Sequence, residues 1–200
     1  MKNKEVQQFY RPYELPPTNP EDLDRYIRDF EVKREEMIKI AAEERDHAVS
    51  YRPVPFKVGS TVLSKEPNQA PGEYSIHAGH NYTPTKAVRD GVAKRCGEKQ
   101  ALEKALARQT KQIIAIVSVS DQISTGDDTK AHDALHPCPE CRKMIRQMVK
   151  EGLISEQGII CNVNDTRTGP DGQWAREERT VGELLDMYED LDNPKESVAA

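Results

Sequence analysis

The sequence predicts an α/β fold, a sandwich of helices on a sheet, because helical and strand patterns alternate along its 200 residues. The most apolar run, Ile113 to Val119, is typical of a central strand that is buried on both faces. Apolar residues at helical spacing occur both before and after this run. A chain of this length is enough for one such domain and short for two.

The first predicted helix begins at Asn19, where an N-cap residue precedes Pro20 and two early acidic residues. Apolar residues at i, i+3, i+4 and i+7 spacing then continue towards Ala48. One long or broken helix is therefore expected, and Pro53 and Pro55 prevent it from continuing.

Strands and helices alternate through the rest of the chain. The predicted elements are strands over 56–63 and 74–80, a helix over 97–107, the apolar strand over 113–119, a helix over 139–150, a strand over 158–163 and a short helix after Thr180. The first two strands are expected to form a hairpin, because only a turn-rich stretch over 66–72 separates them. The sequence Thr180-Val-Gly-Glu183 has the capping-box form that starts a helix.

The two ends of the chain are predicted to be polar extensions of one domain. Residues 1–18 are expected to be a flexible arm, residues 19–190 the domain, and residues 191–200 a disordered acidic tail. The first residues lack the apolar segment of a signal peptide, and no stretch reaches membrane-spanning length. We therefore expect the protein in the cytoplasm.

The charge distribution argues against a protein that coats nucleic acid. The formal net charge is -5 and the isoelectric point is about 5.6, whereas that binding mode needs a basic surface. Basic residues are concentrated over 86–111, with eight Lys or Arg against three Asp or Glu. This segment is compatible with a local phosphate contact near Arg95, but a solvated helix face is the favoured interpretation.

Three of the four cysteines lie in two short segments, RCGEKQAL (95–102) and HPCPECRKM (136–144). In a reducing compartment, clustered cysteines indicate metal or redox chemistry rather than disulfides. Each segment begins a predicted helix, whose N-terminus favours thiolate over thiol. Cys96, Cys138 and Cys141 would give zinc three ligands and leave the fourth position to water, as in catalytic zinc sites.

Glu98 follows Cys96 by two residues, which places its carboxylate on the first turn of the same predicted helix. From there it can take a proton from a bound water and pass it to a substrate nitrogen and a leaving group. Zinc deaminases combine these elements, with His or Cys, then x-Glu, then Pro-Cys-x-x-Cys.

Two other interpretations of the cysteines stay open. Cys138 and Cys141 have the Cys-x-x-Cys spacing of a thiol redox pair, although the motif comes late in the chain. A closed structural zinc site is the second alternative, with His132 or His136 as a fourth ligand. Cys161 lies in a predicted strand and is expected to pack in the core.

The sequence resembles the cytidine deaminase family over most of residues 34–190. The segments that carry the resemblance are PFKVGSTVL, GHNYTP, CGEKQAL, HPCPECRKM and TVGELLDMYEDL. The combination of CGE with PCPEC is the specific part. The resemblance implies a three-layer α/β/α fold with a mixed, roughly five-stranded sheet, zinc on the three cysteines, and Glu98 as proton shuttle.

The resemblance also implies roles for residues around the metal. Arg142 would temper the negative charge of three thiolates, and Phe56 would lie near the pyrimidine. Asn81 matches the asparagine of the family's Asn-x-Glu sugar contact, but this chain has Thr83 in place of the glutamate. Blasticidin S deaminases, a related branch, also lack that glutamate, so a modified sugar is one expectation.

The expected function is hydrolytic removal of the 4-amino group from a cytosine nucleoside or nucleoside derivative, with Zn2+ as cofactor. A deaminase of cytosine in single-stranded nucleic acid is an alternative, which would need stacking aromatic residues and a basic groove. A noncatalytic, zinc-stabilised binding module is another. Small cytidine deaminases form homotetramers, so a homo-oligomer, tetramer or dimer, is expected. The other expected partner is a small-molecule substrate, and no membrane partner is expected.

Overall fold

A computed structural model of the protein describes residues 20–50, 57–83, 95–121, 135–168 and 172–192. Helices and strands alternate along most of these residues. The helices are α1 (Pro20–His47), α2 (Gly97–Ala107), α3 (Pro139–Lys150), α4 (Val181–Met187) and α5 (Glu189–Asp192), and the strands are β1 (Val49–Ser50), β2 (Val58–Lys65), β3 (Ser75–His80), β4 (Tyr82–Thr83), β5 (Gln112–Ser120), β6 (Ile154–Thr168) and β7 (Trp174–Thr180).

Five strands form one mixed sheet in the order β3-β2-β5-β6-β7. The central strand β5 pairs antiparallel with β2 and parallel with β6. The β2–β3 and β6–β7 pairs are antiparallel, and β1 and β4 pair parallel in a separate two-stranded sheet. The predicted mixed, five-stranded sheet and the predicted hairpin are both confirmed.

Helices cover both faces of this sheet, as the three-layer prediction requires. On one face, α1 packs its apolar stripe on the inner strands; this stripe and its strand partners include Phe30, Met37, Ala41, Val117 and Val163. On the other face, α2, α3 and α4 share a second apolar cluster with the sheet, which includes Leu102, Ile116, Ile145, Ile160 and Leu184. Among the residues that the structure describes, no helix is long and apolar enough to cross a bilayer.

Local signals predicted the helices well. The α2 and α3 bounds agree with the predicted ones, and α1 is a single unbroken helix. The capping box of α4 forms as predicted, because Thr180 and Glu183 each bond the other's backbone N–H. In contrast, β7 was not predicted, because its sequence WAREERT contains no large apolar residue after Trp174. It is an edge strand with no apolar pattern to reveal it.

Close packing of α2 on β3 depends on Gly79. A Cβ added there would lie 2.7 Å from Gln100 Cβ and 2.8 Å from both the Ala101 amide nitrogen and the Gly97 carbonyl oxygen. Two of these contacts are with helix backbone, which cannot move aside without displacing α2 and its N-terminus.

We expect Gly79→Ala to lower the free energy of unfolding by about 2 kcal/mol, the usual cost of overpacking. Chemical denaturation would measure the change. Gly182→Ala in α4 is the control, because an added Cβ there meets no atom closer than 3.4 Å. Equal stability of the two variants would contradict the tight packing of α2 on β3.

Candidate functional site

The three predicted ligand cysteines lie together. The Sγ atoms of Cys96, Cys138 and Cys141 are all within 4.8 Å of one another. The distance from Cys138 Sγ is 3.3 Å to Cys96 Sγ and 3.6 Å to Cys141 Sγ. These distances are far longer than a disulfide bond of about 2.05 Å, and none of the three cysteines forms a disulfide. Such a group could hold a metal ion.

Two helix N-termini build this cluster. Cys96 is the N-cap residue of α2 and Cys138 is the N-cap residue of α3, both with extended backbone. Neither sulfur caps its own helix, so both remain available to the cluster. Pro139 at the first position of α3 fixes the backbone that places Cys141 one turn further on. The positive ends of the two helix dipoles favour negative charge at the sulfurs.

Glu98 lies against the cluster and is shielded from solvent. Its side chain is 4% exposed, and its Oε2 is 3.8 Å from Cys141 Sγ. Burial, reinforced by the negative charge of a Cys138 thiolate, raises the pKa of Glu98 to about 7, while interactions with its own backbone N–H, Cys141 and Ser118 oppose the rise. A carboxyl group with such a pKa can both give and accept a proton near neutral pH.

The close approach of the sulfurs disfavours ionisation of Cys96 and Cys141 in the metal-free chain. The hydrogen bond with Cys138 raises the pKa of Cys96 to about 12. Hydrogen bonds of Cys141 with Cys138 and with Cys96, together with burial, raise the pKa of Cys141. Three thiolates at these distances would repel one another, so a bound cation would have to displace their protons.

A polar row crosses the sheet beneath the cluster. Ser60 in β2, Ser118 in β5, Asn162 in β6 and Glu177 in β7 are successive partners in the strand register. Ser60 Oγ lies 2.9 Å from Ser118 Oγ. Ser118 also acts to lower the pKa of Glu98, so this row lies next to the carboxylate. The neighbouring row on the same face is apolar on the inner strands, where it consists of Val62, Ile116 and Ile160.

Arg142 is buried beside the cluster rather than exposed on α3. Its side chain is 4% exposed, and its Nη1 donates a hydrogen bond to the carbonyl oxygen of Pro137 at 2.8 Å. Pro137 directly precedes Cys138, so the guanidinium group holds the backbone next to a cluster cysteine. Its predicted effect on the charge of the thiolates stays a prediction.

Both ring nitrogens of His136 have partners other than the cysteines. Nδ1 lies 2.9 Å from the Tyr188 hydroxyl and Nε2 lies 3.0 Å from Glu177 Oε2. This geometry argues against His136 as the fourth ligand of a closed metal site. His132, the other candidate for that position, lies outside the described residues.

The predicted substrate contacts are described in part. Phe56 lies outside the described residues, and Thr83 is placed only through its backbone in β4. Asn81 is 1% exposed, and its Oδ1 accepts a hydrogen bond from the Val58 amide at 2.8 Å. It therefore fixes the start of β2, and its contact with a sugar stays a prediction.

Comparison with solved structures finds similar folds among cytidine deaminases. The crystal structure of cytidine deaminase from Burkholderia pseudomallei has a TM-score of 0.51 at 21% sequence identity, over 76% of this chain and 94% of that one. The chain has the cytidine deaminase fold. Cytidine deaminases from Mycobacterium tuberculosis and Mycobacterium leprae also match, at 16% and 18% identity and TM-scores of 0.47 and 0.45, over 76% of this chain and 92% and 95% of theirs. No protein-family model and no curated protein matches the sequence.

The cytidine deaminase fold confirms the architecture that the sequence resemblance implied. The relation to blasticidin S deaminases stays a prediction. Several residues around the site were not predicted, among them Ser118, Tyr188 and Asp192. Ser118 interrupts an otherwise apolar run, which is a signal for a polar role. Tyr188 and Asp192 lie in an acidic C-terminal segment with no such signal.

Proposed function

We propose that this protein is a zinc-dependent hydrolytic deaminase that removes the 4-amino group from a cytosine nucleoside or nucleoside derivative. The observation that carries the proposal is the three-cysteine cluster with buried Glu98 against it. A redox pair would need neither the third cysteine nor the carboxylate. The cytidine deaminase fold around the cluster supports the same function.

The cluster fits a zinc ion held by three thiolates. Zn–S bonds of about 2.3 Å place the sulfurs of a tetrahedral site roughly 3.8 Å apart, and the distances from Cys138 Sγ are 3.3 and 3.6 Å. Three ligands leave one position for water, as catalytic zinc sites do. Bound zinc would supply the Lewis acidity that makes water a nucleophile near neutral pH.

Residues of this chain would carry out the proton transfers of the reaction. Water adds to the ring carbon that bears the amino group, and Glu98 takes one of its protons and passes it to the adjacent ring nitrogen. Glu98 then transfers the remaining water proton to the amino group, the C–N bond breaks, and ammonia leaves a uracil-type product. Ser118 and the polar row below would keep the carboxylate aimed at the reacting atoms.

For substrate binding we propose Phe56 beside the pyrimidine and Asn81 and Thr83 near the sugar. The absent carboxylate at position 83 supports a sugar that differs from ordinary ribose, because a charged hydrogen-bond acceptor has been replaced by a hydroxyl group. We further propose residues 19–190, with α5 continuing to Asp192, as the catalytic domain between an arm and an acidic tail, in a cytoplasmic homo-oligomer. Little aromatic content, 6% of residues, and the net negative charge disfavour a polynucleotide substrate.

Ammonia release from a substrate panel tests this function. The panel contains cytidine, deoxycytidine, cytidine monophosphate, blasticidin S, free cytosine and cytosine-containing single-stranded DNA, with protein of measured zinc content and Glu98→Ala as control. We expect release from a nucleoside-type compound and none from DNA. Bound zinc without turnover of any compound would favour a noncatalytic module, and turnover of DNA alone would overturn the proposed substrate class.

A further inference from the structure

A buried set of contacts joins the C-terminal helices to the loop that carries Cys138. Arg142 lies at its centre, with Nε 2.9 Å from Asp192 Oδ2 and Nη2 2.7 Å from Asp192 Oδ1. Its third contact is the hydrogen bond from Nη1 to the Pro137 carbonyl oxygen. One planar guanidinium group thus bridges α5 and the residue next to a cluster cysteine, with a bidentate geometry that fixes its orientation.

Tyr188 holds the same loop by a second route. Its ring lies under the guanidinium group of Arg142, with 3.8 Å between the Arg142 Cζ atom and the ring centroid. Its hydroxyl group is 2.9 Å from Nδ1 of His136, two residues before Cys138. Tyr188 is 2% exposed and His136 is 4% exposed, so these contacts are shielded from water and from screening by salt.

Asp192 supplies the negative charge that this arrangement needs. Partial burial acts to raise the pKa of Asp192, but the hydrogen bonds and charges of Arg142 and Arg146 outweigh it and keep the pKa below its ordinary value. Without Asp192, the buried Arg142 cation would lose the carboxylate that two of its nitrogens bond. Loss of one partner of a buried pair is costly and releases the other to move.

We propose that Tyr188 and Asp192 are positioning residues of the metal site. They hold Arg142 and His136, and through these two residues they fix the backbone that presents Cys138 to the metal. This inference rests on the proposed function, because it takes the cysteine cluster to be a zinc site. It assigns the C-terminal helices a role in metal affinity that their distance from the cysteines in sequence does not reveal.

The test is the zinc dissociation constant of full-length variants, measured by competition with a chromophoric chelator. Asp192→Asn keeps the side-chain shape and removes the charge, and we expect about tenfold weaker zinc binding, the lower end of losses seen for residues that support metal ligands. Tyr188→Phe keeps the ring and removes the hydroxyl group, so a smaller loss is expected. Asp190→Asn is the matched control, since it makes the same change at an exposed position of α5.

Thermal unfolding of the metal-free variants separates positioning from general stability. We expect the zinc affinity of Asp192→Asn to fall by more than its loss of metal-free stability can explain. Asp192→Glu should recover part of the zinc affinity. If Asp192→Asn does not fold, the zinc dissociation constant of Tyr188→Phe tests the proposal instead. Unchanged or tighter zinc binding in the variants, beside a wild-type chain that binds zinc, would overturn this inference alone. A wild-type chain that binds no zinc would overturn the proposed metal site with it.

Discussion

Replacement of Glu98 by glutamine should lower the turnover number by about 10²- to 10⁴-fold, the usual contribution of a general acid–base group. Glutamine has nearly the same volume as glutamate, but its amide cannot accept and return a proton. The zinc content should stay the same, because Glu98 lies beside the sulfurs without belonging to the three-cysteine group. Initial rates and metal analysis of the same preparations would measure both quantities.

Glu103→Gln is the matched control for this change. Glu103 lies on the same helix, and its side chain is 49% exposed and pairs with Lys99 at the protein surface. We expect wild-type turnover from this variant. If Glu98→Gln also kept its turnover, Glu98 would have no part in proton transfer, and the proposed mechanism would be wrong.

Replacement of Cys138 by alanine should abolish tight zinc binding. Cys138 Sγ lies within 3.6 Å of both other cluster sulfurs, so its loss leaves two ligands where zinc prefers four donors. Metal analysis after dialysis should find zinc in the wild-type protein and none in the variant. A chelator should also lower the thermal unfolding midpoint of the wild-type protein and leave that of the variant unchanged, because a ligand stabilises only the state that binds it.

Cys161→Ala is the control that separates metal binding from cysteine content. Cys161 is fully buried in the apolar layer under α1, away from the cluster face. Its replacement should lower stability by removing packed atoms, yet leave the zinc content unchanged. Zinc retained by Cys138→Ala, or lost by Cys161→Ala, would contradict the assignment of the ligands.

The sequence was sufficient for the parts of the site that depend on local signals. Cys96 and Cys138 each precede a run of helix-forming residues, and an N-cap position follows from the adjacent sequence alone. The position of Glu98 could be predicted in the same way, because a residue two positions after the N-cap residue Cys96 lies on the first turn of the helix. These short-range relations needed no knowledge of the tertiary fold.

The parts that the sequence did not predict depend on distant residues. Arg142 and Asp192 are 50 residues apart in sequence, and nothing near either residue identifies its partner. Strand β7 forms because β6 offers an unpaired edge, while its own residues carry no apolar alternation. Propensity and periodicity describe a segment by itself, whereas these features depend on what packs beside it.

The strand order has a consequence for when the site can form during folding. Cys96 and Cys138 are separated by 42 residues, and the central strand β5 lies between the helices that carry them. Their sulfurs meet only after this intervening chain has folded, and pairing of strands that are distant in sequence is slow compared with helix formation. Zinc uptake should therefore be a late event in refolding, so the arrival of the metal would report the completion of the fold rather than start it.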